Sequence, residues 1–235
     1  MANVNFRKAL IVGAGAGLSA GLARAFAAEG LAIALAARST DDLRSLAAET
    51  GAQLFACDAS DRADVERLFS ELDAQGPQGV PDVVVYNASY RTRGAFVELE
   101  AQEVEKSLRV SALGGFFVAQ AAARRMLPQG RGAILFTGAS ASVKGYAQSA
   151  PFAMGKFALR GLAQSMAREL APQGIHVAHV VIDGGIRSAR RPEPVDKPGS
   201  LLDPDAIAAN YVHLLRQPNS AWSWEIEVRP WVERF

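Results

Sequence analysis

The first stretch of this chain that could do chemistry is Gly13-Ala-Gly15-Ala-Gly17-Leu18-Ser19-Ala-Gly21, set between an apolar strand-like segment and a helical one. A tight turn with few Cβ atoms lets backbone N–H groups and a helix N-terminus approach a pyrophosphate. The spacing reads in more than one register: Gly15-x-Gly17-x-x-Ala20 fits the dinucleotide fingerprint with alanine last, and Gly13-x-Gly15-x-Gly17 fits an S-adenosylmethionine methyltransferase. The end of the second strand discriminates between these ligands. A methyltransferase or an NAD enzyme wants a carboxylate there for the ribose hydroxyls, whereas this chain has Ala36-Ala37-Arg38-Ser39. Arg38 suits a charge-assisted bond to a 2′-phosphate, and Ser39 with the next helix N-terminus adds donors, so the pattern favours NADP(H) over NAD(H). The histidines offer no metal site. His176 and His179, three apart on a strand, point to opposite faces, and His213 stands alone on a helix.

These residues need a frame, and the chain supplies one by alternating apolar β-type runs with helical periods. Strands are expected at Lys8–Val12, Ala32–Ala36, Gln53–Cys57, Val83–Tyr86, Ala133–Thr137, His176–Ile182 and Trp224–Val228. Helices are expected from Leu18 to Glu29, from a capping box at Ser39–Asp42 to Thr50, and from a Ser60 or Asp61 cap to Asp73. Others run over Gln102–Met126 and Phe152–Leu170, and from Asp203-Pro204 to Arg216. Asp183–Leu202 reads as a long loop rich in Gly, Pro and Arg, of a length usually tied to function or mobility. The alternation predicts one α/β domain over residues 1–235, a doubly wound parallel sheet of about seven strands with helices on both faces. Composition agrees: 235 residues, 49% hydrophobic and 21% charged, are ordinary for a globular domain. A formal charge of +1 leaves no basic field for nucleic acid or an anionic membrane. The longest uncharged apolar runs, Leu10–Ala23 and Val110–Ala123, are 14 residues each, short of the about 18 that a membrane helix needs. With a lone cysteine, Cys57, and no convincing export signal, a cytoplasmic setting is expected.

Further residues coincide with one family. Gly13-x-x-x-Gly17-x-Ser19 (with serine replacing the third glycine), Cys57-Asp58 after the third strand, Asn87-Ala88 after the fourth, and Lys156 in the Phe152–Leu170 helix resemble the markers of short-chain dehydrogenases/reductases, in order, over nearly the full length. The resemblance implies strand order 3-2-1-4-5-6-7. It also implies that Asp58 contacts the adenine amine, that Asn87 supports the sheet beside the cofactor, and that Lys156 holds the nicotinamide ribose. Gly184, Ile186 and Ser188, in Asp183-Gly-Gly-Ile-Arg-Ser188, match the segment at the nicotinamide end, with Asp183 in place of the usual proline. Gly13, Gly15, Gly17 and Leu18 complete the implied cofactor set with Arg38 and Ser39. The departures are equally specific. The family signature Tyr-x-x-x-Lys reads Phe152-Ala-Met-Gly-Lys156, the serine position falls on Ala139 with Ser140 one residue off, and Ser111 stands for the asparagine. The chain thus resembles a divergent branch in which phenylalanine replaces the catalytic tyrosine.

The expected function is an NADP(H)-dependent oxidoreductase acting on an unidentified carbonyl or alcohol, with the proton handled by Ser140, Tyr146 or water. Tyr90 is a further candidate acid, and Asp183 a candidate partner for the oxidised ring. The alternative is an NADP(H)-binding protein without redox catalysis, a sensor or partner module. Phe96, Tyr90, Phe152 and the 187–198 loop point to a partly apolar pocket rimmed by Arg187, Arg190 and Arg191. A homodimer or homotetramer is expected, with Phe116, Phe117 and Val118 on one helix and Phe157, Leu159, Leu162 and Met166 on another carrying more apolar surface than one sheet face requires. The resemblance assigns these two helices to a shared interface.

Overall fold

The structure is a computed structural model that describes residues 6–233. Its strands are β1 (Lys8–Val12), β2 (Ala32–Ala37), β3 (Gln53–Ala56), β4 (Val83–Tyr86), β5 (Gly132–Thr137), β6 (Ile175–Ile182) and β7 (Glu225–Val228). All pair in parallel in one sheet, ordered β3-β2-β1-β4-β5-β6-β7. Parallel strands covered on both faces read as unbroken apolar runs, and β1, β4, β5 and β6 are buried along their whole length. The chain order reverses between β1 and β4, so a crevice opens at their carboxyl ends.

Helices α1 (Leu18–Ala28), α2 (Arg44–Thr50) and α7 (Pro204–Arg216) cover one face, with Leu22, Phe26, Leu46, Ile207 and Tyr211 in the core they share with the sheet. Helices α3 (Arg62–Asp73), α4 (Ala101–Leu108), α5 (Gly114–Met126) and α6 (Ala150–Leu170) lie on the other, where Leu68, Phe69, Val118, Met126 and Leu159 pack. The expected caps hold at two starts: Asp61 accepts from Ala63 N, and Asp203 from Asp205 N. Among the described residues no helix is long and apolar enough to cross a membrane.

Two elements depart from expectation. The Ser39–Asp42 box does not cap a helix; a 3-10 turn, Asp41–Leu43, precedes α2, and Asp41 pairs forward with Arg44 at 2.7 Å instead of turning back. The single helix expected over Gln102–Met126 is interrupted by a π turn, Arg109–Leu113, between α4 and α5. The Tyr86 hydroxyl donates to the Val110 carbonyl and so takes an acceptor out of the helical ladder. Gly114 admits that ring, because a Cβ there would collide with the Tyr86 hydroxyl and the Ala59 carbonyl.

Candidate functional site

The crevice holds two adjoining cavities of about 600 Å³ each, both bordered by Gly13, Asn87 and Ser89. Gly13 begins the turn after β1 at φ +84°, with its amide donating to the Ala36 carbonyl at 2.9 Å. A Cβ at this position would strike the Ala88 backbone, so glycine is required. Around Gly15 and Gly17 the reverse holds: apart from the adjoining residues, no described residue comes within 4 Å of where a Cβ would be. Helix α1 starts at Leu18 without a side-chain cap; the Ala20 and Gly21 amides donate to the Gly17 carbonyl, which leaves those of Leu18 and Ser19 available to an anion. Ser19, which stands where a glycine was expected, is used: its hydroxyl donates to the Gly13 carbonyl at 3.2 Å and accepts from Asn87 Nδ2 at 2.7 Å. That pair ties the glycine turn to the end of β4, a role sequence spacing did not reveal.

Arg38 and Ser39, both exposed, line the cavity on the β2 side together with Cys57 and Asp58. Among the described residues no carboxylate pairs with Arg38. Asp58 accepts from the Ser60 amide at 2.9 Å and hydroxyl at 2.7 Å, which fixes its carboxylate at the end of β3. Burial pushes the Cys57 thiol up to about 12, so it stays protonated and unreactive. A dinucleotide fits this half: free amides and open glycines at the turn, a carboxylate at one wall and a guanidinium at the other.

The second cavity is bordered by Ala139, Ser140, Tyr146, Phe152, Lys156, Asp183, Gly184, Ile186 and Ser188. Pro151 in the first turn of α6 starts that helix two residues before the expected position. Lys156 is buried, its Nζ donating to the Thr137 carbonyl at 2.8 Å, and burial lowers its pKa from 10.5 to about 8. No carboxylate balances it among the described residues. Position 139 presents only a methyl group; its amide donates to Ser142 Oγ at 3.1 Å, which consumes the buried Ser142 inside the turn. Ser140 stays at the cavity wall.

Several candidates for proton transfer separate in space. Tyr146 borders the cavity and is 46% exposed, whereas the Tyr90 hydroxyl donates to Glu103 Oε2 at 2.6 Å and so turns to α4 instead of the cavity that holds Lys156. Ser111 is buried in the π turn, outside both cavity linings, and its Oγ accepts from Tyr90 N at 3.3 Å with Gly155 of α6 packed against it. Asp183 is buried beside the cavity, but Lys144 at 3.4 Å and Arg229 at 3.7 Å already share its charge. The loop after β6 is pinned rather than free. Ile186 bridges Leu202 and Ser188 bridges Arg191, while Arg187 pairs with Asp203. Of the three rim arginines expected there, only Arg191 faces the cavity; Arg187 is engaged by Asp203 and Arg190 lies outside the lining. Two that were not expected, Arg91 and Arg93, do line it. The spacing Arg91-Thr-Arg93 soon after Asn87 is visible in the sequence, but the path of that loop is not.

His176 and His179 serve packing. His179 Nδ1 meets Glu225 at 3.0 Å, and burial lowers its pKa to about 4. His176 stacks on Trp222 at 4.8 Å, and His213 is exposed on α7. Among the described residues no group of three His, Cys, Asp or Glu is arranged to hold a metal ion.

Known proteins match this frame. Residues 7–194 fit the family model described as short chain dehydrogenase. A short-chain dehydrogenase from Rhodopseudomonas palustris shares 34% identity at a TM-score of 0.81, covering 96% of this chain and 99% of that one. A metagenomic short-chain oxidoreductase in complex with NADP shares 26% identity at a TM-score of 0.83, covering 95% and 97%. The cyclic-di-GMP-binding biofilm dispersal mediator protein of Escherichia coli is 33% identical over 188 residues, covering 78% of this chain and 74% of that protein.

Proposed function

Because the chain belongs to the short-chain dehydrogenase family, we propose that it is an NADP(H)-dependent oxidoreductase acting on a carbonyl or alcohol without a phenolic acid, as one domain over residues 1–235. The observation that carries this reading is Lys156, buried and, among the described residues, without a counter-ion in the wall of the same crevice that holds the open glycine turn. Lys156 can hold a ribose hydroxyl and place positive charge beside a developing alkoxide. The family's nicotinamide cofactor, when bound, supplies or accepts the hydride. Gly13, Gly15, Gly17 and Leu18 would cradle the pyrophosphate, Asp58 would meet the adenine, and Gly184, Ile186 and Ser188 would border the nicotinamide end, with Asn87 bracing the turn through Ser19. At the reacting carbonyl the proton comes from Lys156 itself, whose lowered pKa suits donation near neutrality, or from Ser140 or Tyr146 on the same wall. Phe152 contributes only an apolar ring. NADPH consumption over a panel of aldehydes and ketones tests the reading, and complete silence with every member of the panel would end it.

The NADP(H) over NAD(H) preference rests on Arg38. One charge-assisted hydrogen bond contributes about 1.5–3 kcal/mol, so Arg38→Ala should weaken NADP(H) roughly 10- to 150-fold and NAD(H) little. Titration calorimetry with both cofactors measures this, and equal affinities in the unaltered protein would remove the preference.

A specific observation favours a second reading, a nucleotide-binding module without redox catalysis: the Escherichia coli relative is named for binding cyclic-di-GMP, and position 152 offers no proton. Tight NADPH binding without turnover, together with saturable cyclic-di-GMP binding, would select it.

We also propose a cytoplasmic homodimer or homotetramer. Of the residues expected at the interface, Val118 and Leu159 are fully buried in the core, whereas Phe116 on α5 and Phe157 on α6 are exposed. With Leu113 beside α5 and Met154 on α6, which were not expected, they are 40–48% exposed and form the proposed contact. Phe116→Asp combined with Phe157→Asp should reduce the solution mass to that of the 24.9 kDa chain, read by light scattering. A monomer already in the unaltered protein would dismiss the assembly.

A further inference from the structure

Three guanidinium side chains meet at the mouth of the cavity that holds Lys156. Arg91 and Arg93 come from the loop after β4, and Arg191 from the loop after β6, held in place by the Ser188 bridge. Among the described residues none of the three pairs with a carboxylate, although ion pairs are frequent elsewhere among them. Two acids share the lining, Glu233, which makes no ion pair with them, and Asp183, already engaged by Lys144 and Arg229. Like charges held together without counter-ions repel: burial, then Arg93 and Arg191, depress the Arg91 pKa. Arg91 is also aimed. Its guanidinium carbon lies 5.0 Å from the centre of the Phe152 ring, and Lys156 Nζ lies 5.8 Å from the same centre. Positive groups therefore flank one aromatic ring, Lys156 at the reacting end and Arg91 at the mouth.

From this placement we infer that the cavity takes a substrate carrying a carboxylate or phosphate group, held by Arg91, Arg93 and Arg191, with the substrate's body against Phe152 and its reactive carbon beside Lys156. Planar guanidinium groups suit both anions through paired N–H donors, and an anion relieves the repulsion among the three. The inference rests on the oxidoreductase reading only for the reactive carbon, and the anion site stands apart from it.

The test is calorimetric titration of the NADP-loaded protein with benzoate, phenyl phosphate and benzamide, which share a ring and differ in charge. Benzoate or phenyl phosphate should bind at least tenfold more tightly than benzamide, and the tighter of the two identifies the anion. Added salt should weaken that binding. Arg91→Gln and Arg191→Gln should each reduce it about tenfold or more while leaving NADP affinity within about twofold. Equal binding of benzamide, or no loss in either variant, would overturn the inference. So would a parallel loss of NADP affinity, since the arginines would then serve the cofactor's phosphates. Reduction of 4-carboxybenzaldehyde against its methyl ester is read beside this: anion binding with no turnover of either compound keeps the site and dismisses the oxidoreductase reading.

Discussion

Phe152→Tyr is expected to raise the rate of NADPH-linked reduction of ordinary ketones and aldehydes by about 10²–10⁴, the contribution of a positioned general acid. The substitution adds one hydroxyl at the para carbon of a ring that already borders the cavity, four residues before Lys156 on α6. With Lys156 Nζ 5.8 Å and the Arg91 guanidinium 5.0 Å from that ring's centre, two cations would favour the phenolate and draw the new phenol's pKa down from about 10. Adding Ala139→Ser should raise the rate further, because position 139 lines the same wall with a methyl group. The comparison of parent, single and double variants over a carbonyl panel measures the gain. Vigorous turnover by the parent, lost in Ser140→Ala or Tyr146→Phe, would show that the acid lies in the loop after β5.

Lys156→Met should reduce turnover by at least about 10²-fold, since it removes both a proton donor and the positive charge beside the alkoxide. The same change should stabilise the cofactor-free protein. Burial lowers the Lys156 pKa from 10.5 to about 8, so the folded state releases a proton that the unfolded chain keeps between those values. Because a cation's pKa is depressed here, the burial penalty is fully present below pH 8 and fades as pH rises toward 10.5. Removing the ammonium should therefore add about 2–3 kcal/mol near neutrality, after discounting the lost bond to the Thr137 carbonyl, and should flatten the alkaline gain. Denaturant melts of both proteins from pH 6 to 10, at intervals of about one pH unit, measure this. Carbonyl reduction by the parent should fall as pH passes about 8, when Lys156 loses the proton it donates. A rate indifferent to that range would assign the proton to Ser140, Tyr146 or water.

These expectations combine opposing demands on one side chain. A methionine at position 156 would suit the buried wall better, whereas the proposed reaction uses an ammonium there. Such an exchange of stability for chemistry is common in active sites.

By itself the sequence determined the frame: seven apolar β-type runs, the helices between them, the glycine turn after β1, Arg38 after β2 and Lys156 on α6. These features are local, since a strand buried on both faces must be apolar throughout and a turn with φ near +84° must be glycine. Only the tertiary structure decided which side chains share the cavity. Tyr90 and Tyr146 both lie in loops rich in polar residues, but Glu103 on α4 takes the first hydroxyl and leaves the second at the cavity wall. Arg187 and Arg191 sit four residues apart in one loop, and Asp203 removes Arg187 while Arg191 turns to meet Arg91 and Arg93 from another strand end. The π turn at Arg109–Leu113 depends on Tyr86, more than twenty residues earlier, whose hydroxyl takes the Val110 carbonyl. Ser111 is carried by that turn into a packing role against Gly155. Contacts of this kind join residues distant in sequence through competition for hydrogen-bond partners and space, which neither periodicity nor motif spacing encodes.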